Sequence, residues 1–169
     1  MAKKITPKSY ILYMLSRREY SKKELYDKMI VKEYFDKKDI EEALKWAEEY
    51  NYISDERFAE SNINYKLHHK GNSQIRYLLK DKGISEDIIE ETLSKAIKEE
   101  DRAIKTLLKY KDSKIRDKEI DLKIKDKAFR FMASRGFSYN NIKDAWDTIF
   151  SEEFDVDDFL YNYEVSNYN

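Results

Sequence analysis

The 169-residue chain is 40% charged and 41% hydrophobic, with a net charge of −1, one Pro, three Gly and no Cys. The lack of Cys excludes disulfides and thiolate metal sites, and no apolar run approaches the roughly 20 residues that span a bilayer. This much apolar surface beside so few helix breakers argues against global disorder and for an all-α protein.

The first predicted helix covers about 7–18. Pro7 suits a first turn, and Tyr10, Ile11, Met14 and Leu15 share one face. Ser21 and Glu24 have capping-box spacing for a second helix, which ends on Met29 and Ile30. A third starts at Asp36, whose carboxylate can accept from the first-turn N–H groups. Phe35 before that cap can staple onto Ile40, with Leu44 one turn on. The same set returns as Ile84, Ser85, Ile89 and Leu93, and again as Phe137, Ser138, Ile142 and Trp146. Upstream, Leu78 and Leu79, then Phe131 and Met132, match Met29 and Ile30. Gly83 and Gly136 fall where a left-handed residue closes a helix. Tyr34 takes that place in the first set, beside a one-residue insertion, so a differently shaped turn is expected there.

A further helix precedes each later pair. Ser54 or Asp55 opens one carrying Phe58, Ala59, Ile63 and Leu67, which ends near Gly71. Ala103, Ile104, Leu107 and Leu108 mark the other, and a polar stretch over 111–119 separates it from a helix over about 120–134. The expectation is three tandem three-helix modules at 6–52, 53–97 and 98–150, about nine helices in an elongated, bendable arrangement. Nothing alternates with period two for long enough to suggest a sheet. The tail 151–169 has six acids, no bases and several aromatics. It reads either as a short helix docked by Phe154, Phe159 and Leu160, or a disordered end, or as an acidic-aromatic arm for a basic groove.

Catalytic groups are sparse. Adjacent His68 and His69 cannot chelate one metal as an i, i+4 pair does, and before Gly71 they read as dipole-favoured, partly cationic residues at a helix end. No glycine loop cradles phosphate, and the many carboxylates stand beside Lys as solvated surface pairs do. No enzymatic activity, metal or cofactor is expected. The opening MAKKITPKSYIL lacks a signal-peptide apolar region, so a cytoplasmic protein without membrane association is expected.

Binding is the remaining class. Charge is unevenly distributed, about +6 over 1–38 and +4 over 98–130 against −6 over 151–169. Lys3, Lys4, Arg17, Arg18, Lys22 and Lys23 gather at the ends of the first two helices. Lys66, Lys70, Arg76, Lys80 and Lys82 form a second basic group, and Tyr13, Tyr20 and Tyr65 stand among these cations. Such groups can contact phosphates and bases or an acidic protein surface, or simply solvate helices. The helix from Asp36 to Glu49 is acidic, which makes it a poor guest in a DNA major groove.

Four strings resemble one family. SRREYSKKEL (Ser16 to Leu25) supplies Ser21, Glu24 and Leu25, and YISDERFAES (Tyr52 to Ser61) supplies Asp55, Arg57, Phe58 and Ala59. KGNSQIRYLLKDKGISEDII (Lys70 to Ile89) supplies Gly71 and Gly83, and FMASRGFSYNNI (Phe131 to Ile142) supplies Arg135, Gly136, Phe137 and Ser138. In order, and over about 6–150, they resemble the RecX regulators of the RecA recombinase. The chain departs from the family in lacking a Gly before Phe35 and in its third-module linker. The resemblance implies a three-repeat helical fold and, as partner, the RecA filament on single-stranded DNA. A monomer lying in the filament groove would limit extension or promote disassembly, lowering recombination, repair and SOS co-protease activity. Arg57 and Arg135 are expected to pair with carboxylates between modules or to face the partner. Direct DNA binding without RecA is the alternative.

Overall fold

A computed structural model describes residues 5–116 and 119–167, so Lys3 and Lys4 lie outside the described residues. The described residues form ten α-helices and two π-helical turns, with no strand among them. None of these helices is long and apolar enough to cross a membrane. The chain divides into two compact units. Unit 1 holds the described residues up to Asn62 together with Leu78–Thr92; unit 2 holds Ile63–Tyr77 and everything described from Leu93 onward.

Unit 1 begins with α1 (Pro7–Leu15), α2 (Lys22–Ile30) and α3 (Lys37–Glu49). α1 and α2 both pack on α3, enclosing Ile11, Met14, Leu25, Met29, Phe35, Ile40, Leu44 and Ile53. Helix α1 is shorter than its sequence suggests. Thr6 and Ser9 cap it reciprocally and Ser16 closes it, so Arg17 and Arg18 follow the helix. Of the expected capping box at α2, only half forms. Glu24 N donates to Ser21 Oγ at 3.1 Å, but the Glu24 carboxylate turns to Arg18 and Lys82 instead. Asp36 occupies its N-cap without a side-chain bond, contrary to expectation. Asn51 is left-handed (φ 54°) after α3, and the Tyr52 and Ile53 N–H groups return to the Ala47 carbonyl. α4 (Asp55–Asn62), the end of α5 (Asn72–Asp81) and most of α6 (Glu86–Lys95) complete the unit.

Unit 2 contains the π-helical segment Ile63–Leu67, the start of α5 and the end of α6. It continues through α7 (Glu99–Tyr110), a second π-helical segment Lys111–Ile115, α8 (Leu122–Ala133), α9 (Tyr139–Ile149) and α10 (Val156–Asn167). α7, α8 and α9 pack together around Ala103, Leu107, Ile115, Met132, Phe137, Ile142 and Trp146. Part of the stretch expected to be a polar separator is thus an extension of α7 that buries Ile115. The tail is a tenth helix. Asp155 Oδ1 accepts from the Asp157 and Asp158 N–H groups, each at 3.0 Å. Phe154, Phe159 and Leu160 pack on the unit 2 core, and Tyr163 is buried.

The repeated staples are all buried: Phe35 with Ile40, Ile84 with Ile89, and Phe137 with Ile142. Of the residues that end the preceding helices, Met29, Leu79 and Met132 are buried. Ile30 is exposed and Leu78 and Phe131 are half-buried, because adjacent helical positions diverge by about 100° and only one can face the core.

Candidate functional site

Each unit carries a basic surface, and the two are built differently. In unit 1, Ser21 Oγ donates to the Lys82 carbonyl at 2.7 Å, and Lys23 Nζ donates to the Asp81 carbonyl at 2.9 Å. Gly83 is left-handed (φ +81°), and a Cβ there would lie 2.7 Å from the Lys23 side chain. The Lys22 N–H donates to Asp55 Oδ1 at 3.1 Å. Burial raises Asp55 above the usual carboxylate range, the Lys22 N–H opposing.

The cations of this surface meet carboxylates. Lys22 pairs with Glu48 at 2.8 Å, Lys23 with Asp27 at 3.4 Å, and Lys80 with Glu86. Arg18 (3.0 Å) and Lys82 (3.5 Å) share Glu24. Burial alone would raise Glu24, but the Arg18 bond and charge, with Lys82, hold it below its ordinary range. The Arg18 guanidinium also lies 3.5 Å over the Tyr20 ring. Arg57 donates to the Asn51 carbonyl and side chain and to the Tyr52 carbonyl, and it pairs with Glu19 at 3.5 Å. It therefore fixes the turn between α3 and α4. Arg17 stands apart, exposed, and donates to Tyr13 Oη at 3.2 Å.

The second basic group expected from sequence is shared between the units, with Arg76 and Lys80 four residues apart on α5. Lys80 and Lys82 belong to unit 1, while Lys66, Lys70 and Arg76 belong to unit 2. Lys66 is exposed.

In unit 2 the joint brings two backbones together directly, with one hydroxyl and one guanidinium beside them. The Gly71 N–H donates to the Arg135 carbonyl at 2.9 Å, and Ser73 Oγ donates to the Gly136 carbonyl at 2.7 Å. A Cβ on Gly71 would lie 2.1 Å from the Gly136 carbonyl oxygen. Arg102, 2% exposed, reaches in from α7. It donates to the Lys70 carbonyl at 2.7 Å, to the Ile97 carbonyl at 3.0 Å and to Asn72 Oδ1. These hydrogen-bond acceptors are neutral, and burial lowers its pKa, the charges of Glu99 and Glu100 opposing.

Beside this joint lies a groove of about 360 Å³, lined by His68, His69, Lys105, Thr106, Lys109, Tyr110, Ser113, Lys114, Phe131 and Arg135. No carboxylate is among the described residues that line it. Both π-helical segments border it: His68 and His69 follow the first, and Ser113 and Lys114 belong to the second. Such segments concentrate at functional sites because the widened turn redirects side chains. Tyr110 and Phe131 stack at 4.4 Å, and the Arg135 guanidinium lies 3.6 Å over Phe131. Arg135 thus packs on an aromatic ring rather than a carboxylate. Burial, with the charges of Lys109 and Lys105, holds His68 below its ordinary range, the Tyr65 backbone opposing. Burial and then His68 and Lys70 do the same to His69. Against the sequence expectation of partly cationic histidines, burial first and neighbouring cations second favour the neutral forms.

Three comparisons bear on this architecture. Residues 54–93 match the family model of the second three-helix domain of RecX. A Clostridium botulinum (strain Eklund 17B) protein named regulatory protein RecX is 36% identical over 77% of this chain, which spans 62% of that relative's length. A protein of the same name from Actinobacillus pleuropneumoniae serotype 5b is 39% identical over 79% of this chain and 85% of its own length. This chain belongs to the RecX family. The crystal structure of RecX from Lactobacillus salivarius shares its fold, with a TM-score of 0.67 at 21% identity over 83% of this chain and 92% of that one.

The RecX-like strings map largely onto the joints. Ser21, Glu24, Asp55 and Gly83 make the unit 1 joint, and Leu25, Phe58 and Ala59 are buried. Gly71, Arg135 and Gly136 make the unit 2 joint. Phe137 is buried beside them, and Ser138 Oγ accepts from Asn141 N at 3.2 Å to cap α9. The groove cations Lys105, Lys109 and Lys114 fall outside these strings, and sequence reasoning missed them. The available signal was the like-charged pair Lys105 and Lys109 at i, i+4, a spacing that costs about 0.2–0.5 kcal/mol on a helix and needs a reason.

Proposed function

We propose that this chain regulates the RecA recombinase, mainly as an inhibitor, by binding in the groove of the RecA filament on single-stranded DNA. There it limits filament extension or promotes disassembly, and so modulates recombination, DNA repair and SOS co-protease activity. The observation that carries this reading is the relationship to proteins named regulatory protein RecX, one matched over 85% of its length. A binder works through differential affinity: it favours one arrangement of the filament over others, without bond-making chemistry. In this reading the chain acts as a cytoplasmic monomer of three modules, 6–52, 53–97 and 98–150. Arg17 and Lys66, both exposed, contact the filament directly, as do Lys70 and Arg76. Arg18, Lys22, Lys23, Lys80 and Lys82 contribute charge while holding their pairs.

The test is single-stranded-DNA-dependent ATP hydrolysis by the cognate recombinase, with this protein at substoichiometric amounts. Inhibition with shortened filaments is expected, and an unchanged rate and filament length removes the proposal. Replacing Arg17 and Lys66 together by Glu should relieve inhibition with helicity unchanged. Inhibition that persists moves the contact surface elsewhere.

A second reading, direct DNA binding without RecA, is favoured by the unit 2 groove. Phosphate-driven binding weakens steeply with salt. Titrating labelled single- and double-stranded DNA at two salt concentrations decides, and no retention near physiological salt removes it.

A further inference from the structure

We infer that the groove of unit 2 is a binding site for a compact oligophosphate, three closely spaced phosphate groups held together, free or carried by a nucleoside triphosphate. This goes beyond the RecA reading and does not rest on it.

Charge density points to this ligand. Lys105, Lys109 and Arg135 line one groove of about 360 Å³, with Lys114 at its edge, and no carboxylate is among the described residues that line it. Its linear dimension is about 7 Å, the cube root of that volume. In an extended acidic peptide, same-side carboxylates recur about every 7 Å, so one or two would reach the groove. An oligophosphate brings three or more negative charges into the same span. The donor set agrees: Lys supplies point charges, and Arg a planar fork that suits phosphate. The face of Arg135 rests on Phe131, which leaves the edge of its guanidinium to donate. Thr106 and Ser113 add hydroxyls to the lining. Tyr110 and Phe131 are already stacked on each other, so the recognition element is the phosphate group rather than a base.

The histidines couple the site to protons. His68 faces Lys105, Lys109 and Arg102, and His69 faces His68, Lys70, Lys109 and Arg135. The Glu164 carboxylate of α10 acts on Lys105. His68 Nδ1 is buried without a hydrogen bond of full geometry among the described residues. An anion in the groove reverses the local field, so both imidazoles gain proton affinity on binding, and affinity rises as pH falls from 8 to 6.

The test is isothermal titration of the full chain with inorganic tripolyphosphate, with a nucleoside triphosphate, and with a short thymidine strand, without divalent metal. Saturable binding of tripolyphosphate is expected, about tenfold tighter at pH 6 than at pH 8. Lys109→Gln, at an exposed position, should weaken it about tenfold with an unchanged melting temperature. Lys105→Gln should do the same as a second variant. A nucleoside triphosphate that binds like tripolyphosphate supports recognition by phosphate alone, and tighter nucleotide binding supports a nucleotide-borne source. No saturable tripolyphosphate binding overturns the proposal. So does binding that both variants leave unchanged, or a strand that binds tightly and is not displaced by tripolyphosphate. These outcomes are independent of the ATP-hydrolysis assay, so either proposal can fail alone.

Discussion

At the start of α2 in unit 1, cations are paired with carboxylates; along α7 in unit 2, Lys105 and Lys109 stand beside two histidines, with Glu164 acting on Lys105. The difference follows from how each joint is made. Unit 1 closes its joint with side chains: Ser21, Lys22, Lys23, Glu24 and Lys82 each take part. Unit 2 closes its joint with the Gly71 and Gly136 backbones, the Ser73 hydroxyl and one buried guanidinium bonded to neutral acceptors, and with no ion pair among these contacts. The Gly71–Arg135 backbone bond uses no side-chain charge, and Lys105, Lys109 and Arg135 line the groove beside it. A basic cluster in a sequence is therefore not a binding surface until its carboxylates are located.

The comparison breaks most severely at Arg102. Arg102→Ala leaves the Lys70 and Ile97 carbonyls and Asn72 Oδ1 without their donor. A loss of about 3 kcal/mol is expected, since removing one side of a buried charged hydrogen-bond set costs several times a surface pair. Urea unfolding measures it, and a loss below about 1 kcal/mol would mean the guanidinium is not the tie described. Next come the two joints side by side. Gly71→Ala places a methyl 2.1 Å from a carbonyl oxygen, and overpacking of that kind costs about 1–3 kcal/mol. Ser21→Ala, at the matching position of unit 1, removes an N-cap bond and one hydroxyl donor, worth about 1 kcal/mol. Equal costs, read from the same unfolding curves, would show that the joints do not differ in kind.

Much of the fold was legible. The staples Phe35–Ile40, Ile84–Ile89 and Phe137–Ile142 are set by periodicity, and periodicity is what burial selects. Left-handed Gly83 and Gly136 followed from position alone. Illegible were the features that depend on partners distant in sequence. Arg102 sits in a helix whose other charges are surface-like, and nothing nearby announces Lys70 and Asn72 as its acceptors. The cations picked from sequence, Arg18, Lys22, Lys23 and Lys82, were found by density, and density does not show that Glu24 and Glu48 lie opposite. The π-helical segments Ile63–Leu67 and Lys111–Ile115 carry no signature separable from an ordinary helix end, so the groove they border could not be assembled. Its one local trace was the spacing of Lys105 and Lys109.

Smaller effects separate the surfaces by pH. Glu24→Gln unties Arg18 and Lys82 at once, and because the pair is near the surface the loss at pH 7 should be about 1 kcal/mol or less. The folded pKa of Glu24 is lowered from 4.5. Its contribution is therefore present above that value and lost as pH falls through the folded one, so wild type and variant should converge below about pH 4.

The histidines shift stability in the same direction, but nearer neutrality. Both have folded pKa values lowered from 6.5, so the unfolded chain takes up protons first as pH falls. Their neutral forms stabilise unit 2 above about pH 6.5, and that stability is lost as pH falls below it, because burial first, and then the charges of Lys105, Lys109 and Lys70, oppose each added proton. Replacing both His68 and His69 by Gln should flatten the decline in melting temperature between pH 7.5 and 5.5, while Glu24→Gln leaves that window unaltered. Tripolyphosphate should oppose the decline in the wild type and do less in the double variant, since protonated imidazoles then face an anion. If the double variant declines as steeply as the wild type, the histidines are not held neutral by the groove, and the contrast between the two surfaces rests on geometry alone.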